Sequence, residues 1–173
     1  MTNKITSQLF VLLDEAGVPY EKLLNHPPSH TSAESQKVRK EASGLDTIGA
    51  KALVQRATNR DKSNRIIVFV IPGNARFDGK KAIAHLGDVK KIRFLTADEV
   101  FEATTLEIGC IPPFGSPLLE NIEKLYFDKS LLDCKLVGFN AATHTSSVIM
   151  APRDLITAAH PDDVFDFSTH VEE

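Results

Sequence analysis

Residues 107–119 read EIGCIPPFGSPLL, an apolar stretch broken by two glycines and three prolines. Proline fixes φ and removes a backbone donor, and glycine opens conformations closed to other residues. The segment therefore fits neither a helix interior nor a central strand, and the remainder of the chain must fold around a shaped, stiff loop. Two readings are open from composition: a rigid buried connection, or a loop whose amides approach a ligand closely. Gly109 and Gly115 would permit that approach, with Pro112 and Pro113 stiffening the backbone between them. Amides fixed in advance suit a carbonyl oxygen that becomes negative during acyl transfer.

The chain around this loop has the balance of one ordinary domain able to bury a core: 173 residues, 42% hydrophobic and 25% charged. The opening MTNKITSQLFVLLDEAG mixes charge into its apolar run too early for a secretory signal, and no stretch approaches the ~18 apolar residues a membrane span needs. A cytoplasmic protein with no membrane partner is expected. Cys110 and Cys134 form no CxxC pair and suggest reduced thiols rather than a disulfide framework or a zinc site. His26 and His30 are four apart, but Pro27 and Pro28 prevent the regular helix that would put both on one face. Neither a metal nor a cofactor is expected.

The net charge of -3 conceals an asymmetry. Residues 31–95 hold 14 Lys or Arg against 6 Asp or Glu, whereas residues 96–173 hold 4 against 14. Such a division can make a basic, phosphate-attracting face on an acidic protein, or folding can intermix the two halves.

Periodicity and caps predict an α/β chain. Helices are expected at about 7–16, over TSAESQKVRKEASG with Thr31 and Glu34 in capping-box spacing, in FDGKKAIAHLG, in DEVFEATT behind the Thr96/Glu99 box, and in APRDLITAAH behind its proline. In the second of these, Lys37, Arg39 and Lys40 read as solvated. Strands are expected in VPYEKLL, at 50–57, 65–71 and 90–96, and in EKLYFD, KLVGFN and SSVIMA. The polar TNRDKSN turn joins two of them as an antiparallel hairpin. One mixed, mostly antiparallel sheet with surrounding helices follows, as a domain over 1–160 and an acidic tail over 161–173 that frays at its end.

Two further residues stand out. Lys51 begins a strand whose neighbours Ala50, Ala52, Leu53 and Val54 are apolar, so its ammonium either meets an anion or reaches water along its stem. His144 lies among small polar residues between two strands, where a structural hydrogen bond and a catalytic role are both open. No GxSxG elbow, phosphate-binding glycine loop, HExxH or Cys-His-acid arrangement is present.

Taken in order, HPPSHT (26–31), GAKALV (49–54), GCIPPFG (109–115) and GFNAATHTSSVIMAPRDL (138–155) resemble the YbaK/ProX family of aminoacyl-tRNA deacylases. These are free-standing editing domains related to the insertion domain of bacterial prolyl-tRNA synthetase. The resemblance implies that family's fold and hydrolysis of a mischarged tRNA at its acceptor end, for a small amino acid, with an aminoacyl-tRNA synthetase as a possible partner. It implies that Lys51 meets the phosphate or acyl end of the terminal adenosine, and that Gly109 to Pro113 match a GxxxP element holding the ester. His30, Thr31, Gly109, Cys110, Ile111, Pro112, Pro113, Phe114, Gly115, Asn140 and His144 would then contact substrate. Two departures stand beside it. Pro112 replaces a Ser or Thr frequent in relatives, and FNAATHT places Asn140 and His144 in the opposite order from F-H-x-x-x-N-T. A non-catalytic tRNA or nucleotide binder, or a synthetase-associated interaction domain, is the alternative.

Overall fold

A computed structural model describes residues 3–171. The hairpin of β2 (Ile48–Asn59) and β3 (Asn64–Pro72) is its centre. The two strands pair antiparallel from Ala50↔Pro72 to Thr58↔Asn64 across the polar turn. The run IIVFVI in β3 is apolar at every position because both faces of the strand are covered. Val68 and Val70 face one core with Leu9, Leu13, Phe114, Phe127 and Phe139, while Ile67, Phe69 and Ile71 face a second with Phe165 and Phe167.

β1 (Glu21–Leu23), β4 (Ala75–Phe77), β5 (Val89–Phe94), β6 (Lys124–Asp128), β7 (Val137–Asn140), β8 (Ser147–Met150), β9 (Asp163–Phe165) and β10 (Ser168–His170) complete the strands. The main sheet runs β1-β8-β7-β2-β3-β6-β9, with β5 also paired to β2, and β10 and β4 form a separate pair. β2–β7, β3–β6 and β6–β9 are parallel and the other pairs antiparallel, so the sheet is mixed and mostly antiparallel.

The helices are α1 (Lys4–Ala16), α2 (Ser32–Ser43), α3 (Gly79–Leu86), α4 (Ala97–Thr104) and α5 (Pro152–Ala159). α1 begins three residues before its expected start because Asn3 caps it, accepting from the Thr6 amide at 2.8 Å. Thr96 and Glu99 make the expected capping box, and Pro152 opens α5. At α2 Thr31 accepts from the Glu34 amide, while the Glu34 carboxylate reaches back to the His30 amide at 3.0 Å.

Two expectations change. Arg39 is not solvated: it is 3% exposed beneath α2. The acidic segment from 161 is woven into the fold, because Phe165 and Phe167 anchor it in the second core while β9 pairs with β6 and β10 with β4. Its final residues, 172 and 173, where fraying was expected, lie outside the described ones. Among the described residues no helix is long and apolar enough to cross a membrane.

Candidate active site

The sheet is interrupted on one edge of β2. β7 covers only Ile48 and Gly49, and the pairing with β5 begins at Gln55, so among the described residues Ala50 to Val54 have no strand partner on that side. The Gly73 amide donates to Gly49 O and the Leu95 amide to Val54 O, which fixes the alternation. Odd-numbered residues turn their backbone groups to β3, and even-numbered Ala50 and Ala52 turn theirs toward the open edge.

A cleft of about 420 Å³ lies over this edge. Its walls come from the segment Ser29–Thr31 and the first two turns of α2 (Ser32, Ser35, Arg39), from Gly49 to Leu53 of β2, from Ile108, Gly109 and Ile111, and from Gly138 to Asn140 of β7. The cleft therefore gathers six of the predicted residues: His30, Thr31, Lys51, Gly109, Ile111 and Asn140. Lys51 is exposed, so of the two outcomes open from sequence its ammonium reaches water along its stem.

The proline-rich loop divides its residues between two tasks. Cys110, Ile111 and Phe114 are 4%, 6% and 2% exposed and belong to the main core, and Pro112 and Pro113 are buried. Cys110, Pro112, Pro113, Phe114 and Gly115 do not line the cleft; Gly115 packs instead near Ile122 and Leu125. Burial pushes the Cys110 thiol up to about 11, with the Glu107 carboxylate adding to the effect. Within the loop the Cys110 amide donates to Glu107 O and the Phe114 amide to Pro112 O. Among the described residues, the amides of Gly109 and Ile111 have no such acceptor. Gly109 has φ +91°, a conformation in which a side chain would be strained.

His144 is near but outside the cleft. Its Nδ1 lies 3.2 Å from Ser29 O and its Nε2 3.3 Å from Glu107 Oε2, and its ring packs on His30 at 4.6 Å between centroids. It thus ties the segment before α2 to the glycine loop. A Cβ added to Gly109 would lie 3.4 Å from its ring.

Asn140 joins the loop to a residue that the sequence reading passed over. Its amide donates to Gly109 O at 2.7 Å, and its carbonyl accepts from Arg39 Nη2 at 3.1 Å. Arg39 Nε donates to Ser147 Oγ at 3.1 Å, and Ser147 Oγ lies 2.8 Å from His26 Nε2. Arg39 reaches this position by crossing β7 at Gly138, where a Cβ would come within 2.7 Å of Arg39 Cδ. Burial pulls the Arg39 guanidinium down to about 10, leaving it charged at neutral pH.

The cleft offers ammonium, guanidinium, hydroxyl and amide donors, with no carboxylate among its lining residues. Such a set can hold and polarise an ester or a phosphate. The curated protein YwhH of Bacillus subtilis (strain 168), itself uncharacterized, is 30% identical over 112 residues, which is 64% of this chain and 68% of that one. The crystal structure of a hypothetical protein, APE2540, superposes with a TM-score of 0.73 at 25% identity, covering 95% of this chain and 99% of that one. A candidate trans-editing enzyme for prolyl tRNA synthetase shares the fold with a TM-score of 0.68 at 23% identity, covering 98% and 99%. The model of the aminoacyl-tRNA editing domain matches residues 26–158, a span that includes every wall of the cleft, and the chain belongs to that family.

Proposed function

We propose that the protein is a trans-editing deacylase that hydrolyses the ester of a mischarged aminoacyl-tRNA, with a small amino acid as its acyl group. The observation that carries this reading is the convergence of Lys51 with the loop residues Gly109 and Ile111 on one open cleft at the unpaired edge of β2.

The acceptor end of the tRNA enters with its terminal adenosine toward Lys51. The exposed ammonium attracts the phosphate or the acyl oxygen without first losing its own hydration. The amides of Gly109 and Ile111 are the loop's candidates for the ester carbonyl, because Pro112 has no N–H and the Cys110 amide is already engaged. A water adds to the carbonyl carbon and gives up a proton; addition by the neighbouring ribose hydroxyl would only move the acyl group to that oxygen, from which water must still release it. The resulting oxyanion is held by donors already in place, and its collapse expels the esterified ribose oxygen, which takes up a proton. Lys51 contributes position and charge rather than a covalent bond. The walls at Gly49, Ala50, Ala52 and Gly138 are small, which supports a compact acyl group. Release of free amino acid from tRNAs charged with Ala, Ser, Cys or Thr is the test, and a synthetase handling the same tRNA is the expected partner.

A further inference from the structure

Arg39 is a charge that no described carboxylate of the chain neutralises. Its side chain is almost wholly buried, yet its two hydrogen bonds go to neutral acceptors, Ser147 Oγ and Asn140 Oδ1. Among the described residues no carboxylate lies within 4.0 Å of the guanidinium, and Nη1 has no hydrogen-bond acceptor. The buried side chain nevertheless borders the cleft, beside Ser32 and Ser35. A buried ion without a partner is costly, and the fold carries that cost while reserving Gly138 to admit the side chain. The network around Nε and Nη2 also fixes the plane of the guanidinium, so its remaining donors present a set fork.

We infer that Arg39 forms an oxyanion-recognition subsite on the inner wall of the cleft, taking a phosphate or carboxylate of the ligand through Nη1 and the free Nη2 hydrogen. Two oxygens of one carboxylate or phosphate match that fork, whereas an ammonium or an apolar group gains nothing from it. The identity of the ligand rests on the deacylase reading, in which the oxyanion is the phosphate of the terminal nucleotide; a carboxylate on the acyl side chain is the competing source, and it would extend the acyl range beyond Ala, Ser, Cys and Thr to aspartyl. Recognition of an oxyanion by Arg39 does not require turnover, so it can stand or fall separately.

The test uses the full chain and binding alone. Inorganic phosphate is titrated into the wild-type protein while the Arg39 Nε–Hε resonance, assigned by its loss in Arg39→Lys, is followed by NMR. Calorimetry then compares AMP with adenosine, and 3′-aspartylamido- with 3′-asparaginylamido-adenosine. The expected results are a saturable shift of the Arg39 signal and roughly tenfold or tighter binding of the charged member of at least one pair, erased by Arg39→Gln. An AMP preference assigns the subsite to the terminal phosphate, and an aspartyl preference assigns it to the acyl group. An unmoved Arg39 signal, equal binding within both pairs, or a preference that survives Arg39→Gln overturns the inference. Should Arg39→Gln not fold, the wild-type titration decides.

Discussion

The Asn140 side-chain amide holds the carbonyl of Gly109 at 2.7 Å while its own carbonyl accepts from Arg39 at 3.1 Å. One side chain thereby sets both the left-handed residue of the glycine loop and the orientation of a buried cation. Asn140→Ala removes both bonds and leaves a buried guanidinium donor unmatched, so a loss of about 1–3 kcal/mol in urea unfolding is expected. Asn140→Asp keeps an acceptor for Arg39 but turns a carboxylate oxygen toward Gly109 O. It should unfold at higher urea than Asn140→Ala and still lose at least about tenfold in ester hydrolysis, because the loop is no longer held.

Gly138 is small because Arg39 crosses it. Gly138→Ala would place a Cβ 2.7 Å from Arg39 Cδ. A cost of about 1–3 kcal/mol is expected from displacing a packed side chain, measured by chemical denaturation. An unchanged midpoint would mean that Arg39 can lie elsewhere.

Arg39 also shows why the fold was legible in the sequence and part of the site was not. Strands such as IIVFVI and caps such as Thr96/Glu99 encode their own surroundings, since alternation and local hydrogen bonds are properties of a few adjacent residues. Arg39 sits among Lys37, Lys40 and Glu41, which are exposed, and nothing in α2 marks one face as covered. Arg39 is buried because Ser147 and Asn140 on the facing wall supply its acceptors, and that wall lies about a hundred positions away. For the same reason the sequence could not divide 109–115 between cleft and core. The stiffness of the loop was visible, but which of its residues lined the cleft depended on packing against Leu125 and Phe139. The last segment was misjudged because its aspartates outnumber the two phenylalanines, Phe165 and Phe167, that anchor it.

Cys110 lies within the loop but is not poised as a nucleophile. With its thiol pushed up to about 11, only about one molecule in a thousand carries the thiolate at pH 8. Iodoacetamide at that pH should modify the partly exposed Cys134 well before Cys110, as read by peptide mass spectrometry. Faster labelling of Cys110 would contradict the burial described for the loop.

Acid should act on the β5–α4 junction. The Arg93 guanidinium grips Glu99 through two contacts of 2.9 Å and, with the Thr96 amide, draws its carboxyl down from 4.5 to about 2. Because the folded-state value is depressed, the stabilisation is fully present above the unfolded value and is lost as pH falls through the folded one. In denaturation series the stability gap between the wild type and Glu99→Gln should hold from neutral pH to about 5 and close between there and pH 2. A gap that widens on acidification would reverse the sign and refute the assignment.

The most direct measurement is single-turnover hydrolysis of a panel of Ala-, Ser-, Cys- and Thr-charged tRNAs by the wild type and by Lys51→Ala. Lys51 is exposed, so its removal should leave stability within about 0.5 kcal/mol and isolate its part in the reaction. The wild type is expected to release amino acid from at least one tRNA well above the spontaneous rate, and Lys51→Ala to be slower by roughly a hundredfold. Background rates for the wild type across the whole panel, or an undiminished rate in Lys51→Ala, would contradict the account.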